Sequence, residues 1–337
     1  MCGFRVISSV ALHREGMMKA IVQDRYGSPD GLQLREVGEP VVGDDRILVT
    51  VRAASINAAD WHLMHRLPHL IAMLVRVPTS RIRGADLAGH VEAVGKKVTR
   101  FKPGDEVFGA GSGAFAEYAT ASEDNLAPKP RSLTFEQAAA IPVAGLTALQ
   151  GLRDKAHVRP GQRVLIYGAG GGVGTFAVQI AKALGAHVTA VTSTSNVDLV
   201  RSIGADEVID YTKEDFTASG QRYDVLLDLG ADRSLADCRR ILNSNGTLLL
   251  VGAPNGLWAM LARLLQVALK ARSSRTSKSI TYIAKVRHQD LVALKELVDA
   301  GKLSPVIDRQ YPLNAVPDAL RYLGTRHARG KVVITVT

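Results

Sequence analysis

The stretch Arg163–Gly185, RVLIYGAGGGVGTFAVQIAKALG, joins a β-branched run to a helix-like run through five glycines in the seven positions Gly168–Gly174. Val164, Leu165 and Ile166 read as a strand buried on both faces, and the sequence from Val173 onward has the apolar spacing of a helix. At such a strand-to-helix turn a side chain obstructs three things. These are the tight bend, the approach of a pyrophosphate to backbone amides, and the packing of the helix on the sheet. The helix N-terminus then offers unbonded N–H groups and the positive end of its dipole to a phosphate. A glycine motif alone is weak evidence. Here it follows a strand, opens a helix and begins a series of similar units, so the reading is a dinucleotide site.

That series runs outward in the C-terminal direction. HVTAVTS, EVIDY, YDVLLDLG and GTLLLVGAP read as strands, with VDLVRSIG and SLADCRRILN as helices among them. Strands alternating with helices imply right-handed crossovers and a parallel sheet covered on both faces. Toward the N-terminus the pattern differs. AIVQDRYG, GLQLREV, RILVTVRAASIN, AGHVEAVG, FKPGDEVF and SGAFAEYATA are β-rich and separated by Gly, Pro and Asp turns. A helix start follows at SLTFEQAAA, and after Leu303 the chain reverts to strands and turns around a short helix, AVPDALRYLG. The expected division is an extension over 1–17, a β-rich domain over 18–142 and 303–337, and a coenzyme domain over 143–302.

The end of the strand after the glycine loop decides which dinucleotide fits. An NAD site keeps an acidic residue there for the ribose hydroxyls. This chain has Ser193, Thr194 and Ser195, with Tyr211 at the end of the next strand. Hydroxyls tolerate a 2′-phosphate that a carboxylate repels, so NADPH is the expected cofactor. No arginine stands at the phosphate position.

Composition limits the other classes. The chain has 337 residues, 46% hydrophobic and 22% charged, which suits a two-domain globular protein. Its two cysteines, Cys2 and Cys238, supply neither a disulfide framework nor a four-cysteine zinc lobe, and suit a reducing, cytoplasmic setting. The net charge of +10 is concentrated in Cys238–Gln289, which holds nine Lys or Arg and no acidic residue. A solvated basic face is the favoured reading, ahead of an anionic membrane surface, a nucleic acid or the phosphates of a bound cofactor. With aromatics at 5% and no stacking platform, nucleic acid is disfavoured as the main partner. Within that segment, GLWAMLARLLQVALK places Arg263, Gln266 and Lys270 on one stripe of an apolar helix. This suggests a helix buried against its own domain or a partner subunit, as in a homodimer, or one that caps the substrate cleft or makes a peripheral membrane contact.

Three motifs resemble the medium-chain dehydrogenase/reductase superfamily, in its zinc-free quinone oxidoreductase branch. They are GADLAGHVEAVGKKV at Gly84–Val98, FKPGDEVFG at Phe101–Gly109, and GAGGGVG at Gly168–Gly174, where Gly170 stands in place of a common Ser. The tail HARGKVVITV at His327–Val336 adds to the likeness, which covers nearly all of Met18–Thr337. The resemblance implies an α/β protein: a Rossmann doubly wound parallel sheet plus a β-rich GroES-like catalytic domain, with the active site between them. It implies pyrophosphate contacts at Gly170, Gly172 and Val173, and a 2′-phosphate site at Ser193, Thr194 and Tyr211. Gly252 belongs with the cofactor contacts, His327, Ala328 and Arg329 close over the cofactor, and Thr147 approaches the nicotinamide.

Where zinc-dependent relatives hold the metal with Cys, His and Cys, this chain carries Asn57, Ala85 and Val143. An amide, a methyl and an isopropyl group do not make a tetrahedral zinc site, so no metal is expected. Without a Lewis acid an unactivated ketone is a poor hydride acceptor, whereas quinones and α,β-unsaturated carbonyls delocalise the developing charge themselves. The expected activity is therefore zinc-independent hydride transfer from NADPH to a quinone or enone. Asn57 then donates to the acceptor oxygen, and Asp60, Trp61 and Thr147 line the pocket. No general acid is evident. A 2-alkenal or enoyl-thioester reductase is the alternative within enzymes, and an NADPH-binding scaffold for RNA or protein partners the alternative outside them. His62, His65 and His69 read as a loop near the cleft, and Tyr282–Lys285, YIAK, is one residue short of a short-chain dehydrogenase pair.

Overall fold

Alternating β-branched residues and frequent Gly-Pro-Asp turns give the N-terminal third strands rather than helices. The computed structural model describes residues 16–24, 27–64, 81–230, 232–251 and 278–337. Strands β1 (Met17–Gln23) and β2 (Leu32–Gly38) form an antiparallel pair. The long strand β3 (Arg46–Ile56) leads into helix α1 (Ala58–Met64), and β4 (Asp86–Val94), β5 (Glu106–Ala110), β6 (Tyr118–Ser122) and β7 (Leu126–Pro128) come next. Helix α2 (Phe135–Ala139) begins at a capping box in which Thr134 and Gln137 satisfy each other's backbone N–H. Helix α3 (Pro142–Leu149) then continues into a π-helical turn at Gln150–Lys155.

The chain next builds β8 (Arg163–Tyr167), α4 (Gly172–Ala183), β9 (His187–Thr192), α5 (Val197–Ser202) and β10 (Glu207–Asp210). After these come β11 (Tyr223–Asp228), α6 (Leu235–Arg240), β12 (Leu242–Leu250) and β13 (Lys278–Thr281). Their order across the sheet is β10-β9-β8-β11-β12-β13, and every neighbouring pair is parallel. Counted from β8, this is the 3-2-1-4-5-6 order of a Rossmann sheet. Order reverses between β8 and β11, so the crevice for a ligand opens at the C-terminal end of β8, where the glycines lie. Helix α6 is shorter than the run SLADCRRILN suggests. Tyr223 N–H bonds Ile241 O and Tyr223 registers with Leu242, so sheet pairing takes over from the helix.

Helix α7 (His288–Asp299), β14 (Ile307–Pro312), α8 (Val316–Gly324) and β15 (Lys331–Thr335) complete the chain. Strands β14 and β15 do not join the parallel sheet. They extend the N-terminal one, in the order β14-β15-β3-β4-β5-β7, with β6 also paired to β3. The C-terminus therefore returns to the β-rich part, as the reversion after Leu303 suggests. One apolar core lies between the parallel sheet and α4, around Ile166, Phe176, Val178 and Ile180. A second fills the β-rich part around Ile47, Leu87, Phe115 and Ile334.

Candidate active site

The glycine loop is built as its sequence requires. Gly168 has φ +86°, a left-handed conformation that favours glycine, and its N–H and that of Ala169 both reach Val191 O at 3.1 Å. A Cβ on Gly174 would lie 2.2 Å from Gly168 O and 2.6 Å from Ala169 O, so the first turn of α4 packs backbone against backbone. No side chain caps this 12-residue helix; its N-cap is Gly171 in an extended conformation. No side chain competes with an anion for the first-turn amides, and the parallel bridge Gly171–Gly330 turns the Gly172 N–H toward Gly330 O.

Two features of this loop fit a dinucleotide phosphate, the uncapped helix end and the bare cradle, and an orphaned acceptor beside them fits a donor such as a ribose hydroxyl. Asn196 packs on Gly170 so closely that a Cβ there would sit 2.8 Å from the amide group. Its Oδ1 is buried with no hydrogen-bond partner, while its Nδ2 lies 3.4 Å from Ser193 Oγ. A buried amide oxygen left unpaired favours a donor arriving from outside. Sequence reading passed over Asn196; the signal was its place three residues beyond Ser193 on the same turn.

Ser193 is half-buried and opens the short 3-10 turn Thr194–Asn196, with its hydroxyl 3.2 Å from Ser195 Oγ. Thr194 is exposed, but its hydroxyl donates to Asp210 Oδ2 at 2.5 Å and meets Thr212 Oγ1 at 2.9 Å. Asp210 thus brings a carboxylate beneath the serine-threonine turn. Hydrogen bonds from Thr194 and then Thr212, with Lys213 3.4 Å away, hold it down at about 2, so it stays ionised and internally satisfied. Tyr211, 42% exposed, stands beside it with its ring edge-to-face on Tyr167 at 6.2 Å.

The C-terminal stretch reaches the same loop. Gly330 N–H donates to Gly170 O at 2.9 Å, so the residue that follows His327, Ala328 and Arg329 meets the glycine loop. His327 and Arg329 are exposed, Ala328 is half-buried, and the backbone N–H of Arg329 is held by Asp308 at 2.9 Å. Gly252 lies outside the described residues, as do His65, His69, Arg263, Gln266, Lys270 and residues 1–15.

The next residue after Gly330 enters the β-rich part. Lys331 is 3% exposed, its stem passes Gly172, and its Nζ donates to Asn57 Oδ1 at 2.6 Å and Ile56 O at 3.1 Å. Asn57 Nδ2 donates in turn to Asp86 Oδ2 at 2.9 Å. Asp86, fully buried, also accepts from Ser55 Oγ at 3.0 Å and from Val143 N–H at 3.1 Å, and its Oδ2 lies 3.7 Å from Lys331 Nζ. An ammonium cannot accept and a carboxylate does not donate, so the Asn57 amide has one allowed orientation. One Nδ2 hydrogen is committed to Asp86, and the second has no bond among the described residues. Burial pushes the Asp86 carboxyl up and the Lys331 ammonium down, and each opposes the other's shift by its charge.

Asp60 joins this cluster from the first turn of α1, where its Oδ2 accepts the Asn57 N–H at 2.8 Å. Part of it opens to a cavity that Gly84 and Ala85 also line. Desolvation nonetheless pushes its carboxyl up to about 7. The Asn57 N–H is the strongest opposing influence, the Asp86 charge adds to the rise, and Lys331 and Arg83 counter it. Thr147 is buried; its hydroxyl donates to Val143 O at 2.6 Å and its carbonyl accepts from Tyr282 Oη at 2.6 Å. Trp61 is half-buried with its indole against Gly324, where a Cβ would lie 2.5 Å from the ring, so it serves to pack α1 on α8. Exposed His62 lies on α1. Among the described residues no group of three His, Cys, Asp or Glu is arranged to hold a metal.

Two family models match, the alcohol dehydrogenase GroES-like domain over residues 43–131 and the zinc-binding dehydrogenase domain over 203–334. The mitochondrial NAD(P)H oxidoreductase RTN4IP1 of Homo sapiens is 35% identical, over 96% of this chain and 90% of its own length. The chain belongs to the medium-chain dehydrogenase/reductase superfamily. A chloroplast envelope quinone oxidoreductase homolog of Arabidopsis thaliana is 31% identical over 94% of this chain and 98% of its own. Among solved structures, the quinone oxidoreductase from Coxiella burnetii superposes with a TM-score of 0.84 at 31% identity, covering 96% of this chain and all of the other. As a member of the superfamily the chain combines the GroES-like and Rossmann parts that its seven- and six-stranded sheets display. The positions that carry zinc ligands in the zinc branch converge here on one hydrogen-bonded cluster, through Asn57, the residue after Ala85, and the backbone of Val143.

Proposed function

We propose that this chain is an NADPH-dependent reductase that passes hydride to quinones or α,β-unsaturated carbonyls without a metal. The observation that carries the reading is the junction at Gly330–Lys331. One residue is bonded to the coenzyme loop at Gly170, and the next is bonded to Asn57 in the cluster that stands where zinc relatives keep their metal. The relatives' names support a quinone or enone acceptor: a quinone oxidoreductase homolog and an NADPH-dependent alkenal/one oxidoreductase, both of Arabidopsis thaliana. The preference for NADPH rests on Ser193 and Tyr211 at the outer edge of the site, and on an Asp210 whose charge is already compensated.

In this reading 143–302 form the coenzyme side, while 18–142 and 303–337 form the substrate side. Bound NADPH supplies the hydride. The amides at the start of α4 hold its pyrophosphate, and the free Nδ2 hydrogen of Asn57 meets the acceptor oxygen as charge gathers there. Lys331 contributes by polarising that amide from behind. A lysine at 2.6 Å strengthens the donor without touching the acceptor.

The test is loss of reduced-nicotinamide absorbance with a panel of quinones and enals, paired with elemental analysis of the active protein. Turnover with NADPH and less than one zinc per chain is the expected result. One bound zinc required for activity overturns the metal-free reading, and tight NADPH binding without turnover on any acceptor overturns the enzymatic one. No described helix is long and apolar enough to cross a membrane. A cytoplasmic location rests on cysteine usage alone, and fractionation of cells expressing the full chain tests it.

A further inference from the structure

Reduction of an enone and reduction of a quinone diverge once the hydride has moved. Hydride added to the β-carbon of an enone pushes the π electrons onto the carbonyl oxygen, and the resulting enolate must be protonated to give the saturated product. A quinone that accepts hydride becomes a hydroquinone anion, which persists in water and takes its proton without help. A site that serves both acceptors therefore needs a proton donor for one of them only.

We propose that Asp60 is that donor, handing its carboxyl proton to the enolate and regaining one from solvent through the cavity it lines. This rests on the hydride-transfer function proposed above. Asp60 is placed for the task by Asn57: the same residue that offers its side-chain amide to the acceptor oxygen anchors Asp60 Oδ2 through its backbone N–H at 2.8 Å. That anchor occupies one carboxyl oxygen. Among the described residues Oδ1 makes no hydrogen bond, and Asp60 borders a cavity shared with Arg83, Gly84 and Ala85. The step balances. The O–H bond of Asp60 breaks, an O–H or C–H bond forms on the substrate, and the charge left on the carboxylate is cancelled when a solvent proton arrives.

The surroundings keep the proton on. Burial raises the carboxyl to about 7, the Asp86 carboxylate opposes a second negative charge, and the Lys331 and Arg83 cations together with the Asn57 N–H limit the rise. A donor that is half-protonated near neutral pH is well matched to an enolate. The bland role of Asp60, bonding the N–H that precedes α1, is met equally by an asparagine carbonyl, which makes the two roles separable.

The experiment compares wild type with Asp60→Asn, using crotonaldehyde and menadione as acceptors. Asp60→Asn is expected to lower kcat for crotonaldehyde by about 100-fold, the usual range for losing a general acid, and by at least about tenfold more than it lowers kcat for menadione. In wild type, kcat for crotonaldehyde should fall as pH rises through about 7, while menadione turnover shows no such limb. Equal losses with both acceptors, or an undiminished enal rate, overturn the proposal. If Asp60→Asn does not fold, the wild-type comparison decides: a solvent isotope effect and a descending pH limb must appear with the enal alone. Failure of wild type on both acceptors refutes the hydride-transfer function instead.

Discussion

Removing the ammonium of Lys331 is the sharpest test of the buried cluster. Lys331→Met keeps an unbranched stem of similar length against Gly172 and deletes only the charge. The structure then leaves Asp86, with no exposed surface, accepting from Ser55, Asn57 and Val143 but without its cation, and strips Asn57 Oδ1 of its donor. Breaking a buried pair from one side typically costs about 3–5 kcal/mol, a large fraction of the ~5–15 kcal/mol that holds a domain folded. With a urea slope of about 3 kcal/mol/M for a chain of this size, the unfolding midpoint should move down by at least about 1 M. Tryptophan fluorescence reports the transition, because the Trp61 ring packs between α1 and α8 in the folded chain.

Two further results are expected from the same reasoning. Adding Asp86→Asn to Lys331→Met removes the stranded charge, so the double variant should be more stable than Lys331→Met alone. The lysine variant should also recover stability in acid. With its folded-state carboxyl raised by burial, Asp86 contributes favourably below the unfolded value of 3.8, and that contribution disappears as pH rises through the folded value. A lysine variant within about 1 kcal/mol of wild type at neutral pH, or a double variant no better than the sum of its parts, refutes the reasoning.

Gly174→Ala places a Cβ 2.2 Å from Gly168 O, an obstruction made of backbone that cannot rotate away; it should cost about 1–3 kcal/mol and abolish NADPH binding in calorimetry. Ser193→Asp puts a carboxylate where the 2′-phosphate is expected, so the ratio of NADPH to NADH affinity should drop at least about tenfold by fluorescence titration. Asp60 predicts a pH trend in stability. With its carboxyl raised to about 7 in the fold, its contribution is complete below 3.8 and is lost as pH rises to 7, and Asp60→Asn should flatten that slope in thermal unfolding.

Much of this molecule can be read along the chain, because the features concerned are local. Glycine conformations at a strand-to-helix turn, apolar runs for buried strands and a Thr-x-x-Gln cap depend on neighbours a few residues away. Accordingly the Rossmann order, the uncapped α4 and the returning C-terminal strands stand where those signals point. The boundary of α6 does not, because a cross-strand bond from Tyr223 to Ile241 ends it, and no local pattern announces that bond.

The chemistry of the site belongs to the other category. Lys331 opens a run of valines and isoleucine and looks, in sequence, like a solvent-facing residue at a strand end. Only the docking of β15 against β3 buries it on Asn57, 274 residues earlier in the chain. The same docking and the entry of α3 complete the shell of Asp86, and desolvation within that shell sets the protonation of Asp60. Sequence determines which groups are present and how the backbone bends between them. Charge state and hydrogen-bond direction depend on dielectric surroundings and on partners from distant segments, so they exist only once the tertiary structure has formed.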